Sequence, residues 1–223
     1  RQCLEHQIEI VFEDYCFSDN TGNCIDGITE GTSVTYCVNT SDTILDLNFT
    51  DINLFGQIPQ TICSLSNLEE LNLGNNNLSG YIPPCFSNLT NLQELRIENN
   101  SLEGVIPNLN NLNNLEVLDL HNNNFIGSIP FLPIDNLIFL SLYGNNISSW
   151  GPENNPMNVC EAIHLEYLQI GQNNLDGEIP DCIGGYLLNL KNLWLNHNYF
   201  IGQIPDNLCN LTHLESLLLQ NNE

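Results

Sequence analysis

Basic residues are nearly missing from this chain: its 223 residues include 3 Lys+Arg against 27 Asp+Glu, for a formal net charge of -24 at pH 7. A surface this acidic repels phosphate backbones, which excludes nucleic acids as partners. No apolar run approaches the ~20 residues that a bilayer span needs, so we expect no membrane span in this segment. A charged-then-apolar leader is also missing, and we expect Arg1 to begin a mature or trimmed chain.

Catalytic motifs are missing as well. The five histidines are scattered, and no two of them have the spacing of a metal site on a helix. The sequence holds no nucleophile elbow, phosphate-binding loop or Cys-x-x-Cys pair. We therefore expect no enzymatic activity, no metal and no cofactor, with N-linked glycans as the only attached groups.

Internal repeats dominate what is present. A frame of the form Leu-x-x-Leu-x-Leu-x-x-Asn-x-Leu is clearest from Leu68 to Leu78, and Gly-x-Ile-Pro follows it. The first frame has Ile52 in place of the asparagine, and the last frame stops at Glu223. Eight frames begin at Ile44, Leu68, Leu92, Leu115, Leu137, Leu165, Leu190 and Leu214.

This frame predicts the fold. The Leu-x-Leu pair places two side chains on one face of a short strand, and stacked rungs join these faces into one core. We expect the asparagine to satisfy backbone groups of its own and of the neighbouring rung. The prediction is an α/β repeat, a right-handed curved solenoid with short parallel strands on its concave face and 3-10 or irregular segments on its convex side.

The chain divides into a cap and a repeat region. Residues 43–223 hold seven repeats and a partial eighth, and residues 1–42 are predicted to form a disulfide-bonded N-terminal cap over the open core. The cap cysteines are Cys3, Cys16, Cys24 and Cys37. An insertion at about 148–160 replaces the Gly-x-Ile-Pro tetrad of the fifth repeat. We interpret it as a surface loop that either carries function or is a tolerated insertion.

The repeated frame, with its Gly-x-Ile-Pro ending, resembles the plant-type extracellular leucine-rich repeat over residues 43–223. That family includes the ectodomains of receptor-like kinases and receptor-like proteins, and polygalacturonase inhibitors. The resemblance implies an extracellular or cell-surface protein of the secretory pathway. It also implies a peptide hormone, a cell-wall glycan or a secreted pectinase as the ligand.

Four cysteines of the repeats form two matched sets. Cys63 and Cys160 each lie five residues before a frame leucine, and Cys85 and Cys182 each lie two residues after a proline. Equal registers on adjacent rungs favour Cys63–Cys85 and Cys160–Cys182 bridges, with free buried thiols as the alternative. Receptor-like proteins of the family have similar cysteine pairs.

The last repeat of the given sequence is incomplete and contains a cysteine without a predicted disulfide partner. Cys209 repeats the position of Cys63, but a partner would fall past Glu223, so we expect Cys209 to be unpaired within this chain. The eighth repeat also stops before its Gly-x-Ile-Pro. Either the natural chain continues, or another molecule covers this end. In the second case, end-to-end self-association through the open eighth repeat could build fibres.

Asn-x-Ser/Thr sequons predict N-linked glycans in a secreted protein. They occur at Asn39, Asn48, Asn77, Asn88, Asn99, Asn146 and Asn210.

The concave surface carries the functional prediction. Early rungs present mostly acidic side chains, including Glu98 and Asp119, which we interpret as a solvated surface too flat to raise a pKa. A basic partner or loosely held calcium is the alternative for this acidic half. Later rungs present an aromatic strip, which we expect to contact a protein, peptide or glycan ligand. The aromatic strip consists of Phe139, Tyr143, Tyr167, Trp194 and Leu218.

We therefore predict a non-enzymatic extracellular recognition module. A structural glycoprotein that stacks into fibres and an inhibitor of a secreted cell-wall-degrading enzyme are the alternatives.

Overall fold

The computed structural model of the protein describes residues 7–12, 34–39, 45–151 and 157–223. Near the N-terminus, β1 (Gln7–Phe12) and β2 (Val34–Asn39) form an antiparallel hairpin. Strand β1 lies against the segment Gln60–Ser64 of the first rungs. The hairpin thus lies where a cap is expected, and the extent of the cap stays a prediction. Cys3, Cys16, Cys24 and the side chains of Cys37 and Asn39 lie outside the described part of the chain.

Each repeat contributes one strand to an inner sheet of eight parallel strands, which stand in sequence order. The central leucines of neighbouring strands face each other in register, as Leu71 faces Leu95, and both are fully buried. This arrangement confirms the leucine-rich-repeat solenoid. The strands are β3 (Asp46–Asn48), β5 (Glu70–Asn72), β7 (Glu94–Arg96), β9 (Val117–Asp119), β11 (Phe139–Ser141), β13 (Tyr167–Gln169), β15 (Asn192–Trp194) and β17 (Ser216–Leu218).

A second set of parallel strands runs beside the inner sheet and is interrupted after the fifth repeat. The glycine of the tetrad makes this pairing possible, because Gly104 has φ +79° and a Cβ there would collide with the ring of Tyr81 from the preceding rung. Five strands form the first part: β4 (Phe55–Gln57), β6 (Asn77–Gly80), β8 (Ser101–Val105), β10 (Asn124–Ser128) and β12 (Asn146–Ser149). The second part pairs β14 (Asp176–Glu178) with β16 (Tyr199–Ile201).

Short helical segments form the convex side. In the described part of the chain, three are 3-10 segments, each preceded by a proline: Gln60–Ser64, Pro84–Asn88 and Asp206–Asn210. Two in the same ranges are α-helical: α1 (Met157–Cys160) and α2 (Cys182–Tyr186). Disulfides join neighbouring segments on this side, Cys63 to Cys85 and Cys160 to Cys182, and Cys209 is free and exposed.

The repeated asparagine is buried and bonds to the backbone of two rungs. Asn123, 6% exposed, accepts a hydrogen bond from Leu102 N–H through Oδ1 at 3.0 Å. Its Nδ2 donates to the carbonyls of Ile97 and Leu120. Equivalent bonds recur at Asn76, Asn100, Asn145, Asn173, Asn198 and Asn222. The structure therefore confirms the backbone role that the repeat predicts for this asparagine.

The insertion after the fifth repeat is anchored in the core. Trp150 is 3% exposed and stacks on Phe200 of the seventh repeat, with 5.5 Å between ring centroids. Val159, after residues 152–156, which are outside the described part, is fully buried. Because Trp150 is apolar and large, its burial draws the start of the insertion inward. The interpretation of the whole segment as a surface loop is therefore wrong at Trp150.

Candidate functional site

On the concave face, opposite the buried leucines, the register of the inner sheet arranges the residues in three columns that cross the rungs. The first column consists of Asp46, Glu70, Glu94, Val117, Phe139, Tyr167, Asn192 and Ser216. The second consists of Asn48, Asn72, Arg96, Asp119, Ser141, Gln169, Trp194 and Leu218. The third, just after each strand, consists of Thr50, Gly74, Glu98, His121, Tyr143, Gly171, Asn196 and Gln220.

The aromatic strip is divided among these columns and forms two ring pairs. Phe139 and Tyr167 are neighbours in the first column, with ring centroids 5.6 Å apart and planes tilted by 40°. Tyr143 of the third column meets Trp194 of the second edge to face at 6.2 Å. All the strip side chains, including Leu218, are partly exposed. The strip is therefore a diagonal patch of paired rings with apolar surface open to solvent.

Trp194 is held in place by a second contact. Its indole Nε1–H donates a hydrogen bond to Ser216 Oγ at 3.0 Å, on the next rung. The Tyr143–Trp194 pair spans the sixth repeat, where the third column has Gly171. A ring fixed by both contacts loses little further entropy on binding, which suits it to act as an anchor.

A charged cluster lies beside the aromatic strip. Asp119, 6% exposed, accepts hydrogen bonds through Oδ1 from His121 Nδ1 at 2.6 Å and from His121 N–H at 3.3 Å. Its Oδ2 lies 3.8 Å from Arg96 Nη1, while Arg96 Nε donates to Glu94 at 3.0 Å. The hydrogen bond to Asp119 raises the pKa of His121 above its ordinary value, so His121 keeps its positive charge to higher pH.

Glu98, like Asp119, is a buried acid of this surface. Its carboxyl group folds over Gly74, where any side chain would collide with it, and Oε1 accepts from Asn75 Nδ2 at 3.4 Å. Glu98 Oε2 is buried and has no hydrogen-bond partner among the described residues. Burial raises the pKa of Glu98, and the negative charge of Asp119 adds to the effect.

The acidic rungs therefore differ from their sequence interpretation. A fully solvated surface is wrong at Glu98 and Asp119, because neighbouring rungs cover both side chains, and the face is not too flat to raise a pKa. The sequence did contain one indication. Gly74 leaves a gap in a column where the adjacent rungs carry Thr50 and Glu98, and a long side chain can fold into such a gap.

The predicted glycosylation sites lie both on and off the inner face, with Asn48 in its second column. The asparagines of five sequons are exposed: Asn48, Asn77, Asn88, Asn146 and Asn210. Asn99 differs because its amide bonds to Asn75 Oδ1 and accepts from Asn122. Glycan occupancy stays a prediction at all of them. So does end-to-end association, although Leu217 of the eighth repeat is 42% exposed.

Within the described ranges, no group of three or more His, Cys, Asp or Glu side chains is arranged to hold a metal ion. No helix in the same ranges is both long enough and apolar enough to cross a membrane.

Sequence comparison finds repeat families along most of the region after residue 42. Models described as leucine rich repeats match residues 43–102, 90–133, 164–186 and 189–211. The chain is 39% identical over 62 residues to the LRR receptor-like serine/threonine-protein kinase EFR of Arabidopsis thaliana. That match covers 28% of this chain and 6% of the kinase.

Structural comparison finds plant receptor ectodomains. One is the GASSHO1/SCHENGEN3 ectodomain from Arabidopsis thaliana in complex with CASPARIAN STRIP INTEGRITY FACTOR 2, with a TM-score of 0.75 and 30% identity. The match covers 95% of this chain and 26% of the GASSHO1/SCHENGEN3 chain. Another is the Arabidopsis receptor kinase HAESA in complex with the peptide hormone IDA and the co-receptor SERK1, with a TM-score of 0.74 and 32% identity over 80% of this chain. This chain covers 30% of that one, so it spans less than a third of each of these proteins.

Proposed function

Since the chain belongs to the leucine-rich-repeat proteins of the plant extracellular type, we propose that its inner face binds a peptide or a protein segment through the aromatic strip. The chain is not an enzyme but a recognition module, and it works outside the cell or at its surface. The single observation that carries the proposal is the pair of partly exposed ring contacts, Phe139 with Tyr167 and Tyr143 with Trp194.

The geometry of these pairs favours a peptide over a glycan. Sugar rings stack on flat, open aromatic faces, whereas these rings are tilted by 40° in one pair and by 72° in the other. Tilted and edge-to-face rings leave apolar notches between them, and a peptide side chain fills such a notch well. The structural similarity to HAESA, which was solved with a peptide hormone, supports the same choice.

Binding to peptides selected from a random display library tests the proposal. Peptides selected on the immobilised chain should bind Trp194→Ala about 30-fold more weakly, because an aromatic anchor contributes about 2 kcal/mol. Tyr81→Ala is the matched control, because Tyr81 is 60% exposed and directly follows β6 of the second set of strands. Equal affinity of the two variants would exclude the aromatic strip as the contact surface.

A further inference from the structure

One column of the inner face changes from acidic to apolar along the solenoid. Its first three members are Asp46, Glu70 and Glu94, which we call the acidic column. The same column then continues in register through Val117 to Phe139 of the aromatic strip. An elongated ligand that crosses the rungs along this column would therefore meet carboxylates first and aromatic rings next.

Two members of the acidic column, Asp46 and Glu70, contact no basic side chain of the described ranges. Arg96 and Lys191 are the basic residues of the described ranges, and both already contact acids: Arg96 contacts Glu94 and Asp119, and Lys191 contacts Glu166. Asp46 and Glu70 are exposed and face each other on strands ~4.8 Å apart, an arrangement in which like charges repel. A cationic ligand would relieve this repulsion, which no basic residue of the described ranges does.

Ser141 lies where the acidic and the aromatic halves of the inner face meet. Ser141 Oγ is buried, with 1% of the residue exposed, and has no hydrogen-bond partner among the described residues. Ser141 is on the same side of β11 as Phe139 and faces Asp119 in the register. Glu98 Oε2, also buried and unpartnered, lies two rungs before Ser141. Buried polar atoms are normally paired, so both atoms keep hydrogen-bonding capacity, although their burial shields them from direct contact with a ligand.

We propose that the ligand of this face is a cationic peptide segment in two parts, with lysine or arginine side chains on the acidic column and an apolar or aromatic side chain on the Phe139–Tyr167 pair. This inference rests on the proposed function and adds the chemistry and the spacing of the ligand. Three strand spacings separate Glu70 from Phe139, which is ~14 Å. An extended peptide covers that distance in about four residues, at ~3.4 Å per residue.

Synthetic peptides provide a direct test. The probe carries two lysines and one tryptophan separated by about four glycine and serine residues, and its comparison peptide has glutamates in place of the lysines. Fluorescence anisotropy at low and at physiological salt should show binding of the lysine peptide, weakened by salt, and much weaker binding of the glutamate peptide. Failure of the lysine peptide to bind, or equal binding of both peptides, overturns the inference.

Charge-matched variants separate a local effect from the general acidity of the chain. Asp46→Asn combined with Glu70→Gln removes two charges from the acidic column. Glu103→Gln combined with Asp176→Asn removes two exposed charges from β8 and β14. We expect the first pair to weaken binding of the lysine peptide about five- to tenfold, and the second pair less than about twofold. Equal losses would mean nonspecific attraction and overturn the inference.

Failure of the inference can be told apart from failure of the proposed function. If Phe139→Ala weakens the lysine and glutamate peptides alike, and the acidic column variants change nothing, the aromatic strip binds peptides without selecting cations. If Phe139→Ala and Trp194→Ala both leave peptide binding unchanged, the aromatic strip itself is not the contact surface. Circular dichroism of every variant confirms that the inner sheet is intact.

Discussion

Replacing Asn123 with alanine should lower the free energy of unfolding by about 3 kcal/mol, because the side chain satisfies a buried backbone group of another rung. The largest loss falls on Leu102 N–H, which donates to Asn123 Oδ1 at 3.0 Å. A buried donor left without an acceptor costs about 1–3 kcal/mol.

The carbonyl partners of Asn123 lose less. Ile97 O also accepts from Asn100 Nδ2, and Leu120 O also accepts from Asn145 Nδ2, so each carbonyl keeps one donor after the substitution. Each lost bond then costs about 0.5–1 kcal/mol, and these losses bring the total to about 3 kcal/mol. Because every rung asparagine shares its carbonyls with the next rung in this way, damage at one rung is partly compensated by its neighbours.

The measurement is urea unfolding of the disulfide-bonded protein, monitored by circular dichroism. The free energies of unfolding of the variants are compared with the same m-value. Asn124→Ala is the matched control, because Asn124 is the adjacent residue and is exposed on β10. We expect it to change the free energy of unfolding by less than about 0.5 kcal/mol. If the two variants were equally stable, the asparagine ladder, meaning the repeated buried or partly buried asparagines from Asn76 to Asn222, would not stabilise the solenoid as argued.

The charged cluster provides two further predictions. Gly74→Ala should push the Glu98 carboxyl group into solvent and lower its pKa towards the ordinary value, as measured by NMR titration. Gly185→Ala is the control, because an added Cβ at Gly185 meets nothing within 4 Å. An unchanged Glu98 pKa in Gly74→Ala would contradict the packing argument. Asp119→Asn should lower the pKa of His121, because the hydrogen bond from His121 to a carboxylate is what raises it. The stabilisation that His121 contributes is present below its unfolded pKa and is lost as pH rises through the higher folded pKa. The variant should therefore lose this pH dependence of stability in that window, and an unchanged profile would contradict the assignment.

The repeat frame was sufficient to predict the scaffold. Frames such as Leu68–Leu78 correctly predicted the inner strands, and the structure joins the two cysteine pairs of equal register, Cys63–Cys85 and Cys160–Cys182. These features could be predicted because each rung repeats the same backbone path, so one good copy describes its neighbours. The asparagine ladder followed for the same reason.

Features that depend on several rungs at once could not be predicted. The packing of Tyr143 on Trp194 joins the fifth and the seventh rungs, and the burial of Glu98 needs Gly74 on the rung before it. Trp150 is likewise buried rather than on a surface loop, because it packs against Phe200 of another rung.

The sequence by itself therefore determined the path of the chain and the identity of its core, since both follow a period that local residues repeat. Only the tertiary structure decided which inner-face side chains are open to a ligand. Their exposure depends on the size and charge of side chains that are distant along the chain and adjacent across the sheet, and these do not repeat.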